Sequence, residues 1–245
     1  MYKMCRLFER SKQVKRKTAF TLVELLVVIA IIALLLSILV PGLGRARSMA
    51  KRIKCQSNLK QIYVAMQMYI NDNRDTFFCA DDPVSTSSFY WLWMGRGWRS
   101  FIQPYFDQER NENNPSVLLC PADKEEGFES TSYSYSMAFY HSTEQINTMN
   151  SSEDTYLKVK VKPSIPQKIS DVTYPSRKIV IGEWTSNHQQ IEGTDSGWWT
   201  PKGTRNYLFV DGQIAYIEAK DIEKARDGNP NPNLTLDGIK GFDIK

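Results

Sequence analysis

The segment FTLVELLVVIAIIALLLSILV, residues 20–40, carries a single formal charge, Glu24. About 20 consecutive apolar residues are what a helix needs to cross the hydrocarbon core of a bilayer. The run is also longer than the apolar part of a cleavable secretory signal, about 7–15 residues. A helix apolar on every face over that length cannot be enclosed by a small domain. It must lie in lipid or in a bundle of like helices.

The charges on either side sharpen this reading. Residues 1–19 hold seven basic groups and one acid, and residues 45–60 hold six basic groups and none. The formal net charge of the chain is only +4, so the sequence beyond residue 60 is acidic. A basic stem with an acidic head excludes a head that binds nucleic acid through a broad positive face. The basic amino-terminal segment points to the cytoplasm by the positive-inside rule, while the basic stretch after Gly42 pulls the other way.

Pro41 removes a backbone donor and would kink a continuing helix without ending it. Beyond it, Leu43, Ala46, Ala50 and Ile53 recur at helical spacing, as do Leu59, Ile62, Met66, Tyr69 and Ile70. The pattern predicts one kinked helix from Phe20 to Asn73, on the order of 80 Å long at 1.5 Å per residue. From Asp75 onward strand and turn chemistry takes over. Tyr133, Tyr135, Met137 and Phe139 alternate with Ser132, Ser134 and Ser136, which predicts a half-buried strand. Thr155 to Val161 alternates as well, and Lys178 to Gly182 is a short apolar strand. In NYLFVDGQIAYI, Asp211-Gly212 reads as a two-residue hairpin turn with positive backbone angles. The tail DGNPNPNLTLDG reads as loop, or as partly disordered.

The organisation that follows is a basic leader over residues 1–19, a transmembrane and assembly helix over 20–41, an amphipathic stem over 42–74 and an α+β head over 75–245. Lys17-Thr18-Ala19 followed by FTLVELLVVIAIIALLLSILVPGL resembles the class III signal of type IV pilins and type II secretion pseudopilins. The resemblance implies cutting by a prepilin peptidase between Ala19 and Phe20 on the cytoplasmic side, with methylation of the new Phe20 amine. The family usually has Gly before the cut, and this chain has Ala19. Glu24 falls at the fifth position after the cut and Pro41 at the position of the family's helix kink. Further on, CQSNLKQIYVAMQMYIND, LLCPADKE, YPSRKIVIGEW and NYLFVDGQIAYI are similar to segments of pseudopilin-like proteins. Family heads carry an antiparallel sheet on the distal half of the long helix. The implied fold is therefore α+β and pilin-like, with a long kinked N-terminal helix packed on an antiparallel sheet.

An acid in hydrocarbon costs about 2.5–3.5 kcal/mol at the centre and less toward the interface. Cutting before Phe20 creates a cationic amine, and a neighbouring subunit's amine can neutralise Glu24 where the pairing is least screened. Glu24 then registers one subunit against the next. The plain alternative is that Glu24 reaches the headgroup region from the helix start. The implied function is structural: a subunit of a type II secretion pseudopilus or type IV pilus-like filament. It would assemble through N-terminal helices in contact with membrane lipid, be processed by prepilin peptidase and be received by an inner-membrane platform. The implied location is the inner membrane, single-pass, with the N-terminus cytoplasmic and the head periplasmic. The alternative is a membrane-anchored carbohydrate- or protein-binding head for which the helix is only a tether.

No enzyme chemistry is legible. His141 and His188 lie in polar contexts, without metal-ligand spacing, and read as surface residues; Asp81 and Asp82 read as solvated loop acids. The cysteines, Cys5, Cys55, Cys79 and Cys120, are not spaced as a zinc site. They allow a disulfide or free thiols, and the resemblance of CQSNLKQ and CPAD to family segments favours Cys55–Cys120, with Cys79–Cys120 the other pairing. In the tail, Asp227, Asn229, Asn231, Asn233 and Asp237 offer oxygens suited to calcium, a cofactor some pseudopilins hold in a late loop. Pro232 and Gly238 stand where an EF-hand needs Gly and Glu. The six tryptophans, Trp198 and Trp199 foremost, are either core or a surface for a sugar or a secreted partner.

Overall fold

Residues 22–72 form one continuous helix, α1 (Leu22–Asp72), which passes through Pro41. The computed structural model describes residues 21–79, 96–106, 116–124, 131–149, 164–189 and 191–245. The leader, the Ala19–Phe20 bond, Asp81, Asp82, Trp91, Trp93 and the strand predicted at Thr155 to Val161 lie outside them. Contacts divide the chain into two compact units, Met1–Ala46 and Arg47–Lys245. Within the first, every described residue of α1 is exposed, including Leu22, Leu34, Ile38 and Leu43.

In the second unit α1 buries one stripe: Cys55, Asn58, Leu59, Ile62, Ala65, Met66 and Ile70. Their spacing of three and four keeps them on one side of a 3.6-residue turn. Tyr69 is half-buried beside them, and Ile53 is exposed. The stripe packs on a four-stranded antiparallel sheet in the order β1 (Tyr133–Tyr135), β2 (Ile179–Glu183), β3 (Thr204–Phe209), β4 (Ile214–Glu218). Cys55, Ile62, Met66, Tyr133, Tyr135, Val180, Ile181 and Leu208 share one core. Ile179, Trp198, Tyr207, Phe209 and Ile222 form a second cluster, which the inward/outward alternation of strands makes natural. Short helices α2 (Arg96–Ile102) and α3 (Thr143–Thr148) complete the unit. α3 opens with a capping box between Ser142 and Gln145.

Three expectations change. The segment from Thr131 to Tyr140 is buried throughout rather than on one face, and only Tyr133–Tyr135 is strand, because Met137–Phe139 turns into a short 3-10 helix capped by Ser136. The hairpin has three loop residues rather than two. Gly212 N–H donates to Phe209 O at 3.0 Å and Phe209 N–H donates to Gln213 O at 2.9 Å. Only Gly212 takes positive φ, +86°, as in a type I turn closed by a glycine bulge. A side chain there would also meet the Tyr63 ring at 2.6 Å.

The tail, third, is ordered without regular strands. Isolated bridges Ile222↔Ile244, Lys224↔Pro230 and Ala225↔Thr235 fold it on itself. Ser136 Oγ donates to Pro232 O at 2.9 Å and Met137 N–H donates to Asn233 Oδ1 at 3.1 Å, which fastens it to the segment after β1. Its end is held from the start of β2. Arg177 donates twice to Ile244 O, at 2.9 and 2.6 Å, and its guanidinium lies 3.9 Å from the centre of the Phe242 ring. Lys178 Nζ donates to Asp243 Oδ1 at 2.8 Å, Ile179 N–H donates to Asp243 Oδ2 at 2.6 Å, and Thr235 Oγ1 donates to Oδ1. Lys178 and Asp243 are wholly buried. Burial pushes the Asp243 carboxyl up, and Lys178, Thr235 and the Ile179 N–H pull against it.

Candidate functional site

The start of α1 is built by two residues. Thr21 N–H and Thr21 Oγ1 both donate to Glu24 Oε2, at 2.8 and 2.7 Å, while Glu24 N–H donates to Thr21 Oγ1 at 3.2 Å. This reciprocal arrangement is a capping box, Thr-x-x-Glu, which satisfies donors that a helix start leaves open. Glu24 therefore has a local task in the isolated chain, and its negative charge sits where the helix dipole favours it. The Thr-x-x-Glu spacing was present in the sequence and carries this signal. Downstream, the apolar window of α1 has a mean hydropathy of 3.2 and none of it is buried. Within it Ser37 Oγ bonds back to Leu34 O at 2.7 Å, so the hydroxyl is satisfied inside the helix.

In the head, the structure joins Cys55, on the buried stripe of α1, to Cys120, with Cα atoms 5.2 Å apart and a sequence separation of 65. Cys79 is half-buried and stands outside this disulfide. Two residues that sequence spacing does not connect to this pair stand beside it. His188 Nε2 lies 3.4 Å from Cys120 Sγ and 2.9 Å from Glu183 Oε1. Neither histidine is a surface residue: the His188 side chain is 2% exposed and Glu183 is fully buried, and His141 is buried as well. Glu183 ends β2, and its second oxygen accepts from Asn206 N–H at 2.9 Å and Asn206 Nδ2 at 3.1 Å on β3. Gln56 Nε2 in turn donates to Asn206 Oδ1 at 3.0 Å. A chain of contacts thus runs from α1 through β3 and β2 to the sulfur of Cys120. Burial, and then the negative Glu183, hold the Tyr133 phenol well above its ordinary range.

The remaining candidates fall elsewhere. Trp198 and Trp199 lie in a turn rather than a strand. Trp198 is 1% exposed and its indole N–H donates to Glu183 O at 2.7 Å. Trp199 is half-buried and meets Trp184 edge to face at 4.6 Å. This pair is mostly core, which leaves little flat aromatic surface for a sugar. In the tail, Asp227 Oδ1 accepts from Asn229 N–H, Asn231 Oδ1 from Asn233 N–H, and Asp237 Oδ1 from Asn147 Nδ2. Asn231 is fully buried. These oxygens are used in local turns and in a contact to α3.

Residues 14–40 match the family described as the prokaryotic N-terminal methylation motif. The chain carries the prepilin signal of type IV pilins and pseudopilins, and the helix behind it is long and apolar enough to cross a membrane. The motif implies processing by prepilin peptidase and assembly into a filament. No curated protein and no solved structure matches the chain.

Proposed function

We propose that this protein is a structural subunit of a type II secretion pseudopilus or a type IV pilus-like filament. In this reading prepilin peptidase cuts between Ala19 and Phe20 and methylates the Phe20 amine. The apolar half of α1 then sits in the inner membrane with the N-terminus cytoplasmic and the head on the outer side, and an inner-membrane platform draws subunits into the filament. The observation that carries the reading is that the matched motif, residues 14–40, overlaps the part of α1 over residues 22–40 that is exposed on all sides and whose only charge is Glu24. The capping box alone would serve a simple tether, so the role of the charge in assembly is what the variant below tests.

The capping box adds a step to the assembly chemistry. In the single subunit Thr21 satisfies one oxygen of Glu24, and the other oxygen has no described donor. That oxygen is available to the cationic amine of a neighbour, so the same carboxylate can cap its own helix and register the next. Amino-terminal mass spectrometry of the protein from native membranes tests the processing: the expected species begins with N-methylated Phe20. A chain that retains residues 1–19 in the assembled form overturns the proposal. Glu24→Gln should leave membrane insertion intact and reduce incorporation into filaments, and unchanged incorporation removes the role assigned to the charge.

A further inference from the structure

We propose that Cys55, Cys120, His188 and Glu183 form a closed binding site for a zinc-class divalent cation when the Cys55–Cys120 disulfide is reduced. This goes beyond the filament role and does not depend on it. The four ligand atoms, two sulfurs, one ring nitrogen and one carboxylate oxygen, all lie within 4.8 Å of one another. A tetrahedral zinc with bonds of about 2.0–2.3 Å sets its ligands roughly 3.3–3.8 Å apart. Reduction frees the two sulfurs to take up that spacing. Two thiolates, an imidazole and a carboxylate are a borderline-soft set that suits zinc and excludes calcium or magnesium as good occupants.

Two features of the fold favour a site over a chance cluster. The first is Glu183, a wholly buried acid. Among the described residues, the only ionisable group hydrogen-bonded to it is His188, a weak base. A buried carboxylate so poorly matched is costly, and a cation beside it removes that cost. Its other oxygen is already held by two donors from Asn206, as the outer partners of a metal-bound carboxylate are. The second is the loop carrying His188. Ser186 Oγ, Asn187 Nδ2 and His188 Nδ1 are buried with no hydrogen-bond partner among the described residues. Nothing there fixes the tautomer of the ring, so Nε2 can hold a proton toward Glu183 or turn its lone pair to a cation.

The chemistry balances with a dithiol as reductant. It gives two electrons and two protons to the Sγ–Sγ bond and becomes a disulfide itself, leaving two protein thiols. The cation then displaces both thiol protons, forming two metal–sulfur bonds and releasing two protons. α1 is stapled to the Cys120 segment covalently in the oxidised form and through the metal in the reduced form.

The test uses the full chain in detergent, oxidised or reduced with a phosphine, and titrated with Co(II) and then Zn(II). The reduced chain is expected to bind one Co(II) with the visible d–d and sulfur-to-cobalt bands of a tetrahedral site, and Zn(II) should displace it. The oxidised chain should give no such spectrum. His188→Ala and Glu183→Gln should each weaken Zn(II) binding at least ~10-fold. His188→Ala alters a loop residue and is informative even if Glu183→Gln fails to fold. The proposal is overturned if the reduced chain gives no tetrahedral spectrum, whether folded or not by tryptophan fluorescence. It is equally overturned if His188→Ala binds as tightly as the parent, which would mean that the imidazole is not a ligand.

Discussion

Replacing the buried Asp243 with Ala should destabilise the head strongly, and the reason is visible in the ammonium it abandons. Lys178 and Asp243 are both fully buried. Without the carboxylate, Lys178 Nζ keeps only Thr235 Oγ1, at 3.2 Å. Breaking a buried pair from one side costs about 3–5 kcal/mol, because a charge is left uncompensated. The backbone N–H of Ile179 loses its acceptor in the same step. Lys178→Met should cost less, about 2–3 kcal/mol, because the carboxylate keeps two neutral donors. The double variant removes both charges, so its loss should fall short of the summed single losses by about 2–3 kcal/mol. Urea unfolding of the full chain in detergent, followed by tryptophan fluorescence, gives all three values. Proteolysis should also clip the tail of Asp243→Ala, because the lost carboxylate is what holds this end of the tail to Lys178 Nζ and Ile179 N–H at the start of β2. A loss below about 1 kcal/mol, or single losses that add to within about 0.5 kcal/mol, would refute the reasoning.

Other outcomes follow from the same geometry. Replacing Cys55 and Cys120 together by Ser should cost about 4 kcal/mol, the loop-closure value for 65 residues, measured by urea unfolding under non-reducing conditions. Gly212→Ala should cost about 1–3 kcal/mol, since it places a side chain at φ +86° and against Tyr63; an unchanged midpoint contradicts the three-residue turn. Burial pushes the Tyr207 phenol up to about 12 from an ordinary 10. The unfolded chain then loses this proton first as pH rises, so stability is intact below pH 10 and falls by about 1.4 kcal/mol per unit between pH 10 and 12. Tyr207→Phe should flatten that slope by one proton.

The periodic features were legible and the convergent ones were not. The stripe Leu59, Ile62, Met66 and Ile70 repeats every three or four residues, so its buried face could be read directly, and the structure buries all four. The upper set, Leu43, Ala46, Ala50 and Ile53, has the same spacing but is exposed throughout. Periodicity reports which residues share a face, and only tertiary contact decides whether that face is covered. The alternation after Thr131 predicted one wet face, yet the serines are buried. Ser132 Oγ accepts from Cys120 N–H at 2.9 Å and Ser136 Oγ donates to Pro232 O. Small hydroxyls that find partners are as buried as their aromatic neighbours, and a hydropathy pattern cannot distinguish them from solvated ones.

The cysteine cluster shows the same limit more sharply, and it ties the buried stripe of α1 to the rest of the head. Cys55, Cys120, Glu183 and His188 come from three separated segments, so no local spacing could announce them. They meet because the alternation of β2 turns Glu183 inward and the stripe of α1 turns Cys55 to the same place. Three of the ties from α1 to the rest of the head run from this stretch: the bond from Cys55 to Cys120, Gln56 to Asn206 at 3.0 Å and Asn58 Nδ2 to Leu119 O at 3.0 Å. Only the first is covalent. A pull on α1 loads these ties before it loads the sheet, whose strands pair with one another. The mechanical resistance of the head to extraction of α1 should therefore track the state of the two sulfurs. Force applied to α1 of the oxidised chain should leave the Arg47–Asp72 segment in place at loads that release it from the Cys55→Ser/Cys120→Ser variant. Equal release forces in the two would show that the apolar stripe, and not the staple, is what holds the helix.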